Sequence, residues 1–262
     1  GWGIVGLIAM LDTKAVIMLH YHGLPITPAT AAAKVLTGRH AFVSFIHKDQ
    51  LDIAVSVCQS FAVDNGAFSA WKSGKPITNW LPYFEWVESI KNTPNFDFAV
   101  IPDVIDGSEL DNDELIDAWP HEPWLSAPVW HMHESIERLQ RLARNWPRVC
   151  IGSSGNYAIV GNKAWWARMT EALNAICNES GHPICKLHGL RMLDPDVFSR
   201  LPFASADSTN IAKNIGIDSA WRGTYQPPNK DWRAMIMAER IECHNGASFW
   251  DGGSKQMVIG WV

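Results

Sequence analysis

A chain of 262 residues, 47% of them hydrophobic, is long enough to bury one sizeable core and still fits a single domain. Its formal net charge of −5 and pI near 6.0 exclude a generally polyanion-attracting surface, so a nucleic-acid partner would need a local basic groove, for which Lys72, Lys75, Arg191, Lys213 and Arg222 are candidates. The five cysteines are odd in number and lack the close pairing of a zinc cluster, which speaks against a disulfide scaffold and for a reducing, cytoplasmic setting.

Residues 1–11 form an apolar run that ends at Asp12, far short of the ~20 residues a bilayer span needs. It reads as a packing segment, and no membrane partner is expected. Beyond it, short runs rich in Val, Ile, Phe and Ala alternate with longer helical stretches, the pattern of parallel strands joined by crossover helices. Eight strands are predicted, at 17–21, 41–45, 61–63, 98–102, 127–131, 148–152, 185–190 and 203–207. Among the helices, Thr27-Pro28 caps and starts one with Pro28 at its first position, and Leu81, Phe84, Val87 and Ile90 space another. Ile136, Leu139, Leu142 and Ala143 form an apolar stripe, residues 165–177 a further helix, and Asp194-Pro195 opens a short one. A loop with Pro227-Pro228 follows Trp221, and a last helix runs over 231–242. The fourteen tryptophans are read mainly as core and helix-to-barrel filling. This order predicts an α/β fold, a (β/α)8 TIM barrel forming a single domain over 1–262.

The carboxyl ends of these strands carry an inventory that a purely structural face does not need: His20 and His22, Ser44 and His47, Asp64 and Asn65, Asp103, His131 and His133, Ser153 and Ser154, His188 and Arg191, and Asp207. Carboxylates held close together acquire separated acidities and can divide acid, base and nucleophile roles. Each also has a bland alternative. Asp64-Asn65-Gly66 is turn chemistry, and Asp103 and Asp207 stand where helix caps would. His20 with His22, and His131 with His133, have metal-ligand spacing that strand alternation also produces. Gly152-Ser153-Ser154-Gly155 permits close backbone approach to a ligand or simply turns the chain.

Taken in order, these motifs resemble the tRNA-guanine transglycosylase superfamily, including relatives that insert 7-deazaguanine bases into DNA. The resemblance covers roughly residues 60–212. Asp64-Asn65-Gly66-Ala67-Phe68 resembles the family's Asp-Ser-Gly-Gly-Phe motif, Pro102-Asp103 its next strand end, and Trp130-His131 the place of its base-binding Gln. Cys150-Ile151-Gly152-Ser153-Ser154-Gly155 resembles its Gly-Gly-Leu loop, His188-Gly189-Leu190-Arg191 with Asp194-Pro195-Asp196 its Gly-Val-Gly-Thr-Pro-Glu-Asp segment, and Ala206-Asp207 stands at the nucleophile.

The resemblance implies a pentosyltransferase, similar to queuine tRNA-ribosyltransferase, that exchanges a guanine or 7-deazaguanine base at an N-glycosidic bond. Asp207 would be its nucleophile and Asp64 its acid/base. Asp103, His131, Gly152, Ser153, His188, Arg191 and Phe68 would bind substrate, with Phe68 or Trp130 stacking on the base. The implied partners are a nucleic acid and a guanine-like base, and a homodimer is admitted. The family's zinc site is not expected, because the tail offers only Cys243 and His244. Its absence and the acidic balance favour DNA over tRNA.

Two rivals remain. One is a metal-dependent barrel hydrolase using His20, His22, His131 and Asp207. The other is a non-enzymatic barrel that binds a nucleobase, or a protein through an exposed surface at residues 221–232.

Overall fold

The computed structural model describes residues 17–217, 221 and 225–252; the opening run and Arg222 lie outside them. Nine parallel strand segments form one sheet: β1 (Leu19–Gly23), β2 (His40–Ser44), β3 (Ser60–Asp64), β4 (Phe96–Val100), β5 (Ser126–Ala127), β6 (Val129–His131), β7 (Arg148–Gly152), β8 (Lys186–Gly189) and β9 (Ser205–Ser208). Their order is β5-β4-β3-β2-β1-β9-β8-β7-β6, and β5 and β6 are consecutive in sequence, so the two sheet edges meet at Pro128. This is a nearly closed (β/α)8 barrel in which the expected fifth strand, 127–131, is split. Pro128 accounts for the split: it has no N–H for a ladder, while its carbonyl still accepts from the Cys150 N–H at 2.9 Å.

The crossovers are α1 (Ala29–Leu36), α2 (Leu51–Val57), α3 (Ala67–Lys72), α4 (Leu81–Ile90), α5 (Glu109–Asp117), α6 (Ile136–Asn145), α7 (Lys163–Ile176), α8 (Pro195–Phe198) and α9 (Asn210–Asn214), with α10 (Lys230–Glu242) last. None among the described residues is long and apolar enough to cross a membrane. Local chemistry sets several starts. Ser108 caps α5 in a reciprocal box with Asp111, Ser135 caps α6, and Asp194 caps α8 through the Asp196 N–H. Pro28 stands at the cap of α1 itself, so the helix begins at Ala29, one residue later than expected.

Side-chain alternation divides the core. Tyr21, Phe42, Ala62, Phe98, Val100, Ala127, Val129 and Cys150 point inward and fill the barrel. The intervening residues face the helices in two outer clusters, one around α1, α2, α4 and α10, the other around α6, α7 and α8. Four of the five free thiols, Cys58, Cys150, Cys177 and Cys185, are wholly or partly covered by these layers, whereas Cys243 at the end of α10 is exposed.

The first strand runs two residues later than 17–21, because its ladder with β9 starts at Leu19 opposite Ser205 and leaves Ile17 exposed. The surface expected over 221–232 is incomplete, since Trp221 is buried in the outer core while Tyr225 and Trp232 are exposed.

Candidate active site

At the carboxyl end of the barrel the inward-facing positions change from apolar to polar. Ser44, Asp64, His131, Gly152 and Asp207 each follow an interior residue by two places along their strand. With Asp103, Asn65, Ser153, Phe68, His47, Thr209 and Arg191 they line one cavity of about 150 Å³.

Asp64 ends β3, and its Oδ2 accepts from the Gly66 N–H at 3.0 Å and the Ser44 hydroxyl at 3.3 Å. Gly66 has φ +82°, a left-handed conformation that glycine takes without penalty and that folds its N–H back onto Asp64. By surface area Asp64 is only partly buried. Even so, the protein around it and the neighbouring Asp207 and Asp103 carboxylates push its carboxyl up to about 7. It therefore exchanges a proton near neutrality, the property required of a general acid and base.

Asp103 is held from two sides. Its Oδ1 accepts from the Asn65 amide at 2.7 Å, and its Oδ2 lies 2.9 Å from His131 Nε2. The imidazole makes no directed hydrogen bond there, so this is a close contact only. Asn65 is 1% exposed and also binds the Ile101 carbonyl and the Ala67 N–H. It braces two strand ends against each other, a role that its place in an Asn-Gly turn did not signal. His131 is fixed through its backbone: Glu134 accepts its N–H at 2.8 Å and is itself held by Arg138 at 2.7 Å and Asn112 at 3.0 Å.

Asp207 is 4% exposed, and both hydrogen bonds recorded to its carboxylate fall on Oδ1, from the Arg191 N–H at 2.8 Å and His188 Nε2 at 3.3 Å. Neither Asp103 nor Asp207 caps a helix: Ser108 and Thr209 occupy those positions for α5 and α9. Arg191 takes a left-handed φ of 57°, uncommon for a side-chain-bearing residue, and this turn both aims its N–H at Asp207 and lays its guanidinium 3.4 Å from the Phe68 ring centre. Arg191 is exposed over its surface as a whole, yet the protein around its guanidinium pulls it down from its usual range while Asp207 and Asp64 oppose that.

The structure thus brings together Asp64, Asp103, Asp207, His131, Gly152, Ser153, Arg191 and Phe68 around one space. His188 stands apart: it is fully buried beneath the cavity, stacked on Phe42 at 5.3 Å, and reaches Asp207 from below with its other nitrogen on Ser205 at 2.8 Å. Trp130 is likewise buried in the outer core with its indole N–H on the Ser135 carbonyl, away from any base.

Gly152 matters for space. A Cβ there would come within 3.3 Å of His131 Nδ1 and of Val129 Cγ1. Gly152→Ala is expected to narrow the cavity and weaken binding of any planar ligand there about tenfold, the scale for one misplaced methyl group, as read by calorimetry.

The histidines of β1 do not join the site. His20 bonds the His244 carbonyl at 3.0 Å and packs on Phe198, and His22 pairs with Glu242 at 2.7 Å, both toward the outer helices. The hydrolase set of His20, His22, His131 and Asp207 is therefore not assembled in the barrel mouth. Among the described residues no three His, Cys, Asp or Glu side chains are grouped to hold a metal. Cys243 donates to the Arg240 carbonyl at 3.4 Å.

No protein-family model matches the chain, and no curated protein sequence does. Solved structures similar in overall shape include a mutant tryptophan synthase alpha-subunit from Pyrococcus furiosus (TM-score 0.49, 10% identity, covering 87% of this chain and 97% of that one). Another is thiamine phosphate pyrophosphorylase from Bacteroides thetaiotaomicron (TM-score 0.37, 10% identity, covering 87% and 96%). With so little identity, function has to be argued from the cavity itself.

Proposed function

We propose that the chain is a base-exchanging pentosyltransferase that takes a guanine-like base into the cavity and replaces it at an N-glycosidic bond of a nucleic acid, with DNA favoured over tRNA. The observation that carries this reading is the pairing of two carboxylates in different settings. Asp64 is poised to gain and lose a proton near pH 7, and Asp207 is oriented by a backbone N–H and a buried imidazole.

Asp207 attacks the anomeric carbon while the glycosidic C–N bond breaks, and the departing base takes the proton of Asp64. The sugar stays as an ester on Asp207. The incoming base then gives its proton to Asp64, attacks the same carbon and releases Asp207 as carboxylate. Asp103 is an acceptor suited to the N–H edge of guanine, and the Gly152-Ser153 turn gives the ring close access to backbone. A duplex target would have to present its base flipped out or single-stranded.

Incubating the protein with single-stranded DNA, duplex DNA, tRNA and nucleosides plus labelled guanine or 7-deazaguanine tests the reading. Label incorporated into one of them supports exchange and identifies the substrate; a folded protein that labels none refutes it.

A further inference from the structure

Beside the cavity, on the far side of Arg191, a second and more open groove of about 390 Å³ runs between the loops that follow β8 and β9. Arg191 and Thr209 line both spaces, so the two are neighbours across these residues. We propose that this groove binds a phosphate ester, that of the nucleotide unit whose base enters the cavity. The proposal rests on the reading above that the ligand is part of a nucleotide.

The donor inventory of the groove points outward. Ser208 Oγ accepts the Asn210 N–H at 3.3 Å, which leaves its own hydroxyl proton to donate. Asn210 Oδ1 is occupied by the Asn214 amide, which leaves the NH₂ of Asn210 as the outward group. Thr209 adds a hydroxyl, and Lys213 an ammonium with no ion pair among the described residues. One carboxylate, Asp194, also lines the groove, but its Oδ1 is turned onto its own helix to accept the Asp196 N–H at 3.0 Å. Two cations, hydroxyls and an amide donor against one engaged acid suit an oxyanion with several acceptor atoms better than a neutral sugar.

Size agrees with the division of labour. A void near 150 Å³ accommodates an aromatic ring and little more, so with the sugar's anomeric carbon at Asp207 the phosphate must lie outside the cavity. Of the basic groove expected from sequence, Arg191 and Lys213 meet here, whereas Lys72 and Lys75 do not line it. Phosphate recognition by the loops after the last two strands is also a recurrent use of this barrel architecture.

The test titrates the full chain with inorganic phosphate, guanosine and guanosine 5′-monophosphate, following the amide resonances of residues 208–214 together with calorimetric affinities. The monophosphate is expected to bind at least tenfold more tightly than guanosine, with inorganic phosphate alone shifting those amides. Lys213→Gln should cut the preference severalfold. Equal affinities for nucleoside and nucleotide, or an unchanged preference in Lys213→Gln, overturn the proposal. Phosphate shifts without any guanine binding would uphold the groove and remove the base-exchange reading. Base exchange without any phosphate preference would remove the groove alone. A short single-stranded DNA that displaces inorganic phosphate from the same amides assigns the site to a chain phosphodiester; displacement only by the mononucleotide assigns it to a terminal phosphate.

Discussion

Asp207→Asn is expected to lower base exchange at least about a thousandfold, the scale seen when a covalent nucleophile is removed from an otherwise intact site. The variant is chosen over Asp207→Ala for a structural reason. The amide oxygen can still accept from the Arg191 N–H and from His188, so positioning survives while the nucleophile is lost. Alanine would leave both donors without this partner, the buried His188 at about 1–3 kcal/mol, and would confuse misfolding with chemistry. The measurement is single-turnover incorporation of labelled base, together with intact-mass detection of the sugar ester on the wild-type chain. Full turnover by the asparagine variant would remove Asp207 from the role assigned to it.

The second large effect belongs to Asp64. Asp64→Asn should slow exchange by about a hundredfold to ten-thousandfold, the range for losing a positioned general acid or base. The pH dependence separates its two duties. Departure of the original base needs the protonated carboxyl, so formation of the covalent intermediate should fall as pH rises through about 7, and that limb should vanish in Asp64→Asn.

The same group makes a statement about stability. Its folded acidity, about 7, lies above the ordinary value of 3.8, so between those values the folded chain binds more protons than the unfolded chain. Stability contributed by the neutral carboxyl is fully present below pH 3.8 and is lost as pH rises to about 7. At about 1.4 kcal/mol per pH unit the loss is at most about 4 kcal/mol. Asp64→Asn should therefore be more stable than the wild type at pH 8 and about equal to it near pH 4, as measured by urea unfolding at the two values. An asparagine variant that gains nothing at pH 8 would show that Asp64 is not strained by its surroundings.

How much of this was legible in the chain depends on what each signal encodes. Alternation of Val/Ile/Phe/Ala runs with helical stripes gave the barrel, and 81–90 and 148–152 were bounded correctly because their apolar spacing and flanking residues agree. Strand ends rich in Asp pointed to the face where the cavity lies, and Asp64, Asp103 and Asp207 all line it. What could not be read was which way a residue points. In a barrel both faces of a strand are buried, so polar and apolar residues do not alternate cleanly and parity is hidden. His20 and His22 looked like mouth residues for that reason, although Tyr21 between them is the one directed inward. His188 shows the complementary difficulty: its inward parity places it correctly below Asp207, but depth along the strand decides whether a side chain meets ligand or supports another residue. The split at Pro128 needed only proline chemistry, yet a single proline within an otherwise continuous apolar run gave no warning of where the sheet's two edges would join.

The distribution of thiols supplies an internal clock for the folded state. Burial pushes Cys58 and Cys185 up to about 12 and Cys177 to about 11, and holds Cys150 far above its ordinary value inside the barrel. Thiolates are the species that react with disulfide reagents, so these four positions are doubly protected, by access and by chemistry. Cys243 alone is exposed among the five. A native chain should consume one equivalent of such a reagent promptly and the remaining four only as fast as its layers open. The order in which they follow would then map which side of the barrel loosens first, without any engineered label.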